Sequence, residues 1–458
     1  MNIAEVLSQY ACSLSYSDLT PFVIERVKQR LLDSLACALG SYGSPPVMNA
    51  SRFACSVPAE SSTILGGRHR SMPDIAAFVN GTMVRYLDYN DGYVGKEPGH
   101  PSDNIPACLA VAEAEAATGK DLILATVIAY EIQMRLQDAA GLNKRGWDHV
   151  NYVLISTAAA SARLMKLTQD QTCQAINIAV NGHIALRQVR SGELSAWKGS
   201  SAANAARNAI FCARLARYGM EGPSSIFEGK MGFIKQITGE LPLNFGAFGN
   251  ATNGDYMICR SLTKLLPTNG EMHTAIFAAL KLRPRIPDIN QIASVHVATT
   301  DIGLRILASD AQKWRPTTRE TADHSLPYTI SRALIDGEVT LKTYSPETIA
   351  DASAYRLMDK VAVTEDPALT ALFPQHLGNR VTVTLKSGET KSEEVISGPG
   401  SLETPMTNLD FETKFRRMAE PHILRSSQDD IIEFTATLER QSEYSRLFAA
   451  MESPTQAI

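Results

Sequence analysis

The N-terminal half of the chain contains a series of alanine-rich segments with helical periodicity, and this pattern constrains the fold most strongly. Apolar side chains in these segments recur at three- and four-residue spacing, which places them on one face of a helix. The pattern predicts helices over Val23–Leu39, Asp74–Leu87, Ile105–Thr118, Asp121–Gln137, Ile155–Leu167, Asp170–Val180 and Ala202–Tyr218. Gly40 and Gly119 are expected to end two of them, and Asp121 to cap the next. Because the segments carry few charges, we expect a large helical bundle with several buried faces.

The pattern changes after about residue 265. Ile292–Thr300 is rich in β-branched residues that alternate with small ones, and Arg380–Thr390 leads into a Ser-Gly turn. Both segments are predicted strands. Shorter stretches at Ala275–Leu280 and Tyr328–Leu334 have helical character. This part of the chain is therefore predicted to be a smaller α+β domain.

The C-terminal segment Asn408–Met451 returns to helical character with mixed charges, and we expect it to pack on the first domain. A length of 458 residues also exceeds that of most single-core domains. The predicted fold class is mainly α with an α+β second domain. The predicted domains are a helical domain formed by residues 1–266 and completed by 401–458, and an α+β lid domain formed by 267–400.

The composition argues against several functional classes. A net charge of −4 provides no electrostatic reason to expect a nucleic-acid partner. The longest apolar runs, such as Leu122–Tyr130, are far shorter than the ~20 residues of a membrane span, and the N-terminus has no signal-peptide pattern. The seven cysteines show neither a zinc spacing nor a disulfide framework. Motifs for nucleotide binding, zinc proteases and α/β-hydrolases are missing as well. We therefore expect a cytoplasmic enzyme.

His100 is the histidine whose surroundings point most clearly to chemistry. It lies in a loop rich in proline and glycine between two predicted helices. Ser102 is expected to cap the helix that begins near Ile105, with Asp103 and Asn104 close enough to compete for that role. Capping explains these three residues but not His100. Four other histidines lie in contexts typical of structural or exposed residues: His69, His296, His376 and His422.

Asp88 and Asp91 end an apolar helix with the i, i+3 spacing of one turn, so we expect that both can face the same cleft. Two acids at a helix C-terminus are unfavourable with the helix dipole, which indicates a role beyond stability. Spacing alone leaves a functional site and a simple helix end equally open.

Further polar side chains stand at helix starts and near the predicted domain boundary. Lys198 and Arg207 flank the start of an alanine-rich helix, whose backbone amides would help them to bind a carboxylate. A solvated lysine at a helix entrance is the more common interpretation. The other candidates in similar positions are His149, Lys264, His273, His324 and Tyr328. Pro327 argues against an uninterrupted helix between the last two.

Four segments in this order resemble the MmgE/PrpD family: LDYND at 87–91, GHPSDN at 99–104, KGSSAANAAR at 198–207 and ETADHSLPY at 320–328. The resemblance runs over most of the chain. It implies a large all-helical domain with a smaller α+β lid, a homodimer, and an active site in the cleft between the domains. Known activities in the family are 2-methylcitrate dehydratase, cis-aconitate decarboxylase and iminodisuccinate epimerase. The matching active-site positions are Asp88, His100, His149, Lys198, Lys264, His273 and Tyr328.

Two departures from the family pattern bear on the substrate. Gly92 stands where members commonly carry threonine, so one hydroxyl group is missing. The segment Pro267–His273 is longer than usual, although its Glu-x-His ending is similar to the dehydratase branch. GHPSDN is also closer to methylcitrate dehydratases than to cis-aconitate decarboxylases.

The resemblance implies dehydration of a citrate-type tricarboxylate, 2-methylcitrate or a related alkylcitrate, by acid/base elimination without metal or cofactor. His100 is the expected base or acid, with Asp88 orienting its ring and fixing its tautomer. His149 or Tyr328 is the expected partner. Lys198 and Lys264 would neutralise carboxylates. Further substrate contacts are expected from Asp91, Arg207, His273 and His324. The alternatives are decarboxylation of an unsaturated tricarboxylate, epimerisation of a dicarboxylate, and a non-catalytic homologue.

Overall fold

The structure is a computed structural model that describes residues 1–454, and the chain divides into two units. The helical unit comprises Met1–Arg187, Gly199–Leu262 and the segment from Thr407 to residue 454. The mixed unit comprises Gln188–Lys198 and Thr263–Met406. Within the described residues, helices that combine the length and apolarity of a membrane span are absent.

Helices dominate the first part of the chain, as the alanine-rich periodicity predicts. They are α1 Ile3–Ser13, α2 Pro21–Gly40, α3 Pro45–Cys55, α4 Pro73–Tyr86, α5 Ile105–Ala114, α6 Gly119–Ala139, α7 Val150–Leu164, α8 Gln169–Gly182 and α9 Trp197–Arg217. The short strands of this part form two antiparallel pairs, β1 Pro58–Thr63 with β2 Arg70–Ser71, and β3 Tyr93–Val94 with β4 Pro98–Gly99. Most of α6 and α7 is buried, which explains why few charges interrupt these helices.

The mixed unit is built on a four-stranded sheet with the order β6-β5-β7-β8. Its strands are β5 Ile292–Thr299, β6 Val361–Glu365, β7 Asn379–Leu385 and β8 Thr390–Val395. β5 pairs with β6 in parallel and with β7 antiparallel, and β7 pairs antiparallel with β8. Along β7 buried and half-buried residues alternate, so one face of the strand contributes to the core.

Helices cover this core. They are α10 His273–Leu282, α11 Asp301–Leu307, α12 Arg319–Ala322, α13 Leu326–Asp336, α14 Pro346–Ile349, α15 Ala352–Met358 and α16 Pro367–Thr370. Ile276 of α10 and Ile330 of α13 belong to the same buried cluster as Val297 and Val383 of the sheet. The predicted fold class, mainly α with an α+β second part, is confirmed.

The predicted boundary between the helices at Gly119 is wrong. α5 ends at Ala114, and Gly119 begins α6 instead of ending α5. Thr118 is the N-cap, and Asp121 completes a capping box by accepting hydrogen bonds from the Thr118 amide (2.9 Å) and hydroxyl (2.6 Å). A Cβ atom on Gly119 would lie 1.7 Å from the Leu438 carbonyl oxygen. Close approach of another segment therefore requires this glycine, which local sequence does not reveal.

The C-terminal segment belongs to the helical unit. It forms α17 Asn408–Ala419, α18 Arg425–Ala436 and α19 Ser445–Ala450. α17 and α18 both pack against α2. Gly40, predicted to close α2, is its last residue, with Ser41 as the C-cap. A Cβ atom on Gly40 would lie 2.0 Å from Cε of Met418 on α17, so the glycine allows α2 and α17 to pack closely.

Candidate active site

The segment after α4 turns sharply because the helix ends before its two acidic residues. α4 ends at Tyr86, and Asp88 adopts a left-handed backbone conformation with φ 52°. A non-glycine residue in this region is uncommon and is held there by its surroundings. The expectation that Asp88 and Asp91 end the helix with the spacing of one helical turn is therefore wrong. Both are buried, but a turn rather than a helix positions them.

Arg85 sits in the last turn of α4 and connects two acidic groups. Its Nη1 donates to Asp88 Oδ1 at 2.5 Å, and its Nε lies 3.9 Å from Asp103 Oδ1. All three side chains are buried. A buried carboxylate is costly without a charged partner, so Arg85 makes both carboxylates tolerable at this place.

The backbone carbonyl of Asp91 fixes the orientation of His100. The distance from His100 Nδ1 to this oxygen is 2.7 Å. A carbonyl oxygen only accepts, so Nδ1 carries the proton, and in the neutral ring Nε2 carries the lone pair. Nε2 lies 3.8 Å from Asp88 Oδ1. The predicted role of Asp88 in fixing the tautomer is thus wrong: Asp91 fixes it through its backbone, and Asp88 faces the opposite nitrogen.

The Asp91 carboxylate holds the surrounding backbone together. Its Oδ1 accepts the Ser102 amide at 3.0 Å, and its Oδ2 accepts the Tyr130 hydroxyl at 2.8 Å. Burial raises the pKa of Asp91, while Arg30, 4.0 Å away, and these hydrogen bonds act in the opposite direction. This carboxylate therefore fixes the turn that carries the His100 acceptor.

The capping predicted for Ser102 and its neighbours is not found. A 3₁₀ turn, Pro101–Asn104, precedes α5, and the Ser102 hydroxyl accepts from the Asn90 side-chain amide at 2.9 Å. Asn104 holds the N-cap position without a side-chain cap. Its Oδ1 instead accepts from the hydroxyls of Ser156 (2.8 Å) and Thr157 (2.6 Å) on α7. These bonds attach the loop of His100 to the helix that follows His149.

His149 lies beside His100 in the helical unit. The two ring centroids are 5.6 Å apart in an edge-to-face arrangement. His149 Nδ1 lies 3.0 Å from Asp148 Oδ1, and Nε2 lies 4.0 Å from Asp103 Oδ2. The Asp148 carboxylate favours a proton on Nδ1 and stabilises the imidazolium form. His149 is therefore a histidine paired with a carboxylate, whereas Nδ1 of His100 is bonded to a neutral carbonyl.

A second polar cluster lies in the mixed unit and contains Lys198. Its Nζ is 2.8 Å from Asp323 Oδ1 and 3.2 Å from His324 Nδ1. His324 Nδ1 lies 2.6 Å from the same Asp323 oxygen, and Nε2 lies 3.2 Å from the Asn269 amide nitrogen. These contacts are consistent with a neutral His324 that donates to Asp323 and accepts from Asn269. Lys198 and His324 are thus joined by one buried carboxylate.

Comparison with known proteins identifies the chain. The MmgE/PrpD N-terminal domain matches residues 5–245, and the MmgE/PrpD C-terminal domain matches residues 266–440. The chain belongs to the MmgE/PrpD family. The predicted family is confirmed.

Individual relatives within the MmgE/PrpD family are distant in sequence but match over most of their length. An alkylcitrate dehydratase from a fungal species is 29% identical, covering 90% of this chain and 86% of the relative. A cis-aconitate decarboxylase-like protein from Aspergillus oryzae is 28% identical, covering 98% and 97%. The 2-methylcitrate dehydratase of Salmonella typhimurium is 28% identical, covering 81% and 80%. The MmgE/PrpD family thus includes hydro-lyases and decarboxylase-like members.

The remaining family positions are placed as follows. In the mixed unit the Tyr328 hydroxyl donates to the Thr343 carbonyl at 2.8 Å, and burial raises the pKa of Tyr328. Lys264 and His273 are buried in the same unit, and the His273 ring lies edge-on to Phe277 at 6.2 Å. In the helical unit Arg207 donates to Asn208 at 2.8 Å and to Asn204 at 3.3 Å along α9. Its guanidinium is engaged with its own helix.

Three charged residues that contact the candidate site residues were not predicted from the sequence: Arg85, Asp148 and Asp323. Each contacts a candidate residue directly. Asp148 and Asp323 immediately precede His149 and His324, so an Asp-His pair is the one local signal that would have identified them. Nothing local to Arg85 distinguishes it from other helical arginines.

Proposed function

We propose that this protein is a hydro-lyase that dehydrates a citrate-type tricarboxylate. The main support is the hydrogen bond between His100 Nδ1 and the Asp91 carbonyl, which places the proton on Nδ1 so that Nε2 carries the basic lone pair of the neutral ring. The names of the relatives, alkylcitrate dehydratase and 2-methylcitrate dehydratase, support the substrate class.

The reaction removes a proton from the carbon next to a carboxylate and expels a hydroxyl group from the neighbouring carbon. The C–H electron pair becomes the new carbon–carbon double bond, and the hydroxyl leaves as water after it receives a proton. Such a reaction needs a base near neutrality, an acid, and cationic groups that stabilise the developing negative charge.

His100 is the proposed base. Its Nε2 accepts the substrate proton, and the Asp91 carbonyl holds the ring throughout because it remains an acceptor for Nδ1–H. Asp88, 3.8 Å from Nε2, stabilises the imidazolium that forms. Arg85 partly neutralises Asp88, which moderates this stabilisation and keeps His100 able to release its proton.

His149 is the proposed acid. The Asp148 carboxylate at 3.0 Å from Nδ1 favours the protonated ring, as an acid requires. The edge-to-face contact between the rings places the proposed acid, His149, next to the proposed base, His100. Tyr328 is the less favoured acid, since its hydroxyl donates to Thr343 and its raised pKa opposes the loss of a proton.

We propose that the carboxylates of the substrate bind to basic side chains at the positions that match the family's active site. Lys198 and Lys264 are the proposed principal cations. The further proposed substrate contacts are Asp91, Arg207, His273 and His324. Substitution of Lys198 by methionine is expected to raise KM for a tricarboxylate more than substitution of Arg207, whose guanidinium is bonded along α9.

The finer substrate is 2-methylcitrate or an alkylcitrate with a longer chain. Decarboxylation of an unsaturated tricarboxylate is a second candidate, because the cis-aconitate decarboxylase-like relative matches 98% of this chain. By likeness to the family we also propose a homodimer, which light scattering would show as twice the 49.8 kDa of one chain.

The test is to incubate the purified protein with citrate, 2-methylcitrate, longer alkylcitrates and cis-aconitate. Dehydration predicts ultraviolet absorbance from a new conjugated alkene without release of CO₂. Release of CO₂ from cis-aconitate without dehydration would favour the second candidate. Absence of turnover with every compound would contradict both. Because the proposed scheme uses side chains alone, dialysis against a chelator is expected to leave the activity unchanged.

A further inference from the structure

A buried lysine from the C-terminal helix α17 reaches the turn that carries the candidate catalytic groups. Lys414 Nζ donates to the Tyr89 carbonyl at 2.8 Å and lies 3.9 Å from the centroid of the Tyr89 ring. The same Nζ lies 2.6 Å from Asp33 Oδ1 on α2. The side chains of Lys414 and Asp33 are 5% and 1% exposed. All of these residues belong to the helical unit.

Tyr89 stands between the two backbone features on which His100 depends. On one side, Asp88 has a left-handed backbone conformation, and its carboxylate lies 3.8 Å from His100 Nε2. Asp91, on the other side, supplies the carbonyl that accepts from His100 Nδ1. A donor held on the Tyr89 carbonyl therefore constrains both contacts of the imidazole at once.

α2 supports this turn a second time, one helical turn away from Asp33. Arg30 Nη2 donates to the Ser261 carbonyl at 2.7 Å, and its Nε lies 4.0 Å from Asp91 Oδ2. Arg30 and Asp33 therefore present opposite charges to the turn from one face of α2. Asp33 cannot bind the Tyr89 carbonyl directly, because a carboxylate repels a carbonyl oxygen. Lys414 lies between them and contacts both.

Burial of this pair is costly, and stability alone accounts for it poorly. Burial lowers the pKa of Lys414, but the attraction of Asp33, followed by that of Cys37 and Tyr89, outweighs it and the pKa is raised, so the side chain stays charged. Apolar residues of similar size often replace a buried ion pair with equal or better stability. A charged pair directed at one carbonyl is better explained by orientation.

We propose that Lys414 is a positioning residue for the reaction, which it serves by holding the Tyr89 carbonyl and hence the His100 acceptor. This inference rests on the proposed hydro-lyase function. Lys414 takes no part in proton transfer. Its effect acts through the backbone of residues 88–91.

The test compares the double variant Asp33→Asn/Lys414→Met with the wild type. The double variant removes both charges, leaves no uncompensated buried carboxylate, and is expected to keep a melting temperature close to that of the wild type. Turnover of the tricarboxylate substrate is expected to fall at least about tenfold in kcat, with KM changed by less than about threefold. Arg416→Met, on the same helix but in a partly exposed ion pair with Glu412 and Asp429, is the matched control and should leave kcat unchanged.

Hydrogen exchange of the backbone amides provides a readout that needs no activity. The Asp88 amide donates to Arg85 and the Gly92 amide donates to Leu262, so both report on the turn. Exchange in a peptide covering residues 88–92 is expected to be at least about tenfold faster in the double variant, with unchanged exchange in α7. Wild-type exchange together with wild-type kcat would overturn the proposal.

Failure of the two proposals can be distinguished. If the wild type turns over no tricarboxylate, the hydro-lyase function fails, but faster exchange at residues 88–92 would still support positioning by Lys414. If the double variant does not fold, Lys414→Arg replaces it, because this variant retains a charged donor. Positioning through the Tyr89 carbonyl would then be contradicted if Lys414→Arg lost kcat tenfold while its melting temperature and its exchange at residues 88–92 stayed those of the wild type.

Discussion

The Asp91 carbonyl and the Asp148 carboxylate make corresponding contacts with two neighbouring imidazoles. Each lies within hydrogen-bond distance of Nδ1, at 2.7 Å in His100 and 3.0 Å in His149. Because the Asp148 carboxylate is charged and the Asp91 carbonyl is neutral, His149 holds a second proton more strongly than His100 does. Our assignment of base and acid depends on this difference.

Asp148→Asn tests the acid directly. The amide removes the charge that stabilises protonated His149, and it can reverse the tautomer. We expect kcat to fall by about 10²-fold or more, with KM little changed. Ser201→Ala is the control, because its hydroxyl contacts the other Asp148 oxygen at 3.3 Å. Equal losses of kcat in both variants would show that disrupted packing, and not a change in the protonation of His149, is responsible.

Gly92→Thr tests whether the residue after Asp91 affects the choice of substrate. A Cβ atom at Gly92 would lie 3.9 Å from the Gly99 carbonyl oxygen, its nearest neighbour among the described residues, so a Cβ atom fits at ordinary contact distance. We expect a melting temperature close to that of the wild type and a kcat/KM ratio shifted towards substrates with short alkyl chains. Gly92→Ala should shift the ratio less. An unchanged ratio in both variants would exclude Gly92 from specificity.

The residues of the site were only partly predictable from the sequence. Asp88 and His100 were identified within short segments that resemble the family, and His149 by its place before a predicted helix and by its match to a family position. The structure brings the three together in the helical unit. The partner of His100 Nδ1 was not predictable, since it is a backbone atom placed by a left-handed residue. Arg85 was missed because nothing local distinguishes it from other helical arginines, and its contact with Asp88 depends on the turn that follows α4.

At the scale of elements, close helix packing depends on small residues. A Cβ atom at Gly81 on α4 would lie 2.8 Å from Cβ of Ala203 on α9. Gly81→Ala is therefore expected to destabilise the protein by about 1–3 kcal/mol, seen as a lower melting temperature. Gly182→Ala, at the end of α8 with open space around it, should not lower the melting temperature. Equal stability of both variants would contradict the close contact.

The start of α15 provides a prediction about pH. Hydrogen bonds from the Ser353 hydroxyl and amide, followed by Arg332, lower the pKa of Asp351 to about 2. The ionised form is favoured in the folded state, so the stabilisation is present above the ordinary value of 3.8 and is lost as the pH falls towards 2. The side chain is 43% exposed, which limits the effect at pH 7 to below about 1 kcal/mol.

Melting temperatures of the wild type and Asp351→Asn measured from about pH 7 to pH 3 test this linkage. Asparagine can still cap α15 but loses the ion pair with Arg332. The wild type is expected to be slightly more stable at neutral pH, and the difference should shrink below about pH 4. A difference that grows as the pH falls would have the wrong sign.

Element types followed from periodicity, whereas element boundaries did not. The strands near Ile292 and Arg380 were predicted from β-branched alternation, and the structure confirms them. Gly119 was misassigned because the capping box of Thr118 and Asp121, which begins α6, was overlooked. The close approach of the Leu438 carbonyl, which is far away in sequence, is a second reason for the glycine that local preferences do not reveal.

At the scale of the whole molecule, the change of pattern near residue 265 was enough to predict the fold class. The alanine-rich helices and the sheet each form a unit with its own buried core. The C-terminal helices belong to the helical unit, and nothing in their mixed charges predicts a particular role for them. Lys414, which anchors the turn after Asp88, lies in an ordinary amphipathic helix and only the structure reveals its contact.

In the proposed reaction, His100 removes a proton from a citrate-type acid during dehydration. The most direct test follows 2-methylcitrate by NMR with the wild type and with His100→Asn, whose side-chain amide can still donate to the Asp91 carbonyl. We predict loss of water and formation of the alkene with the wild type, and a rate at least about 10²-fold lower with the variant at an unchanged melting temperature. Wild-type alkene formation by folded His100→Asn would contradict the claim.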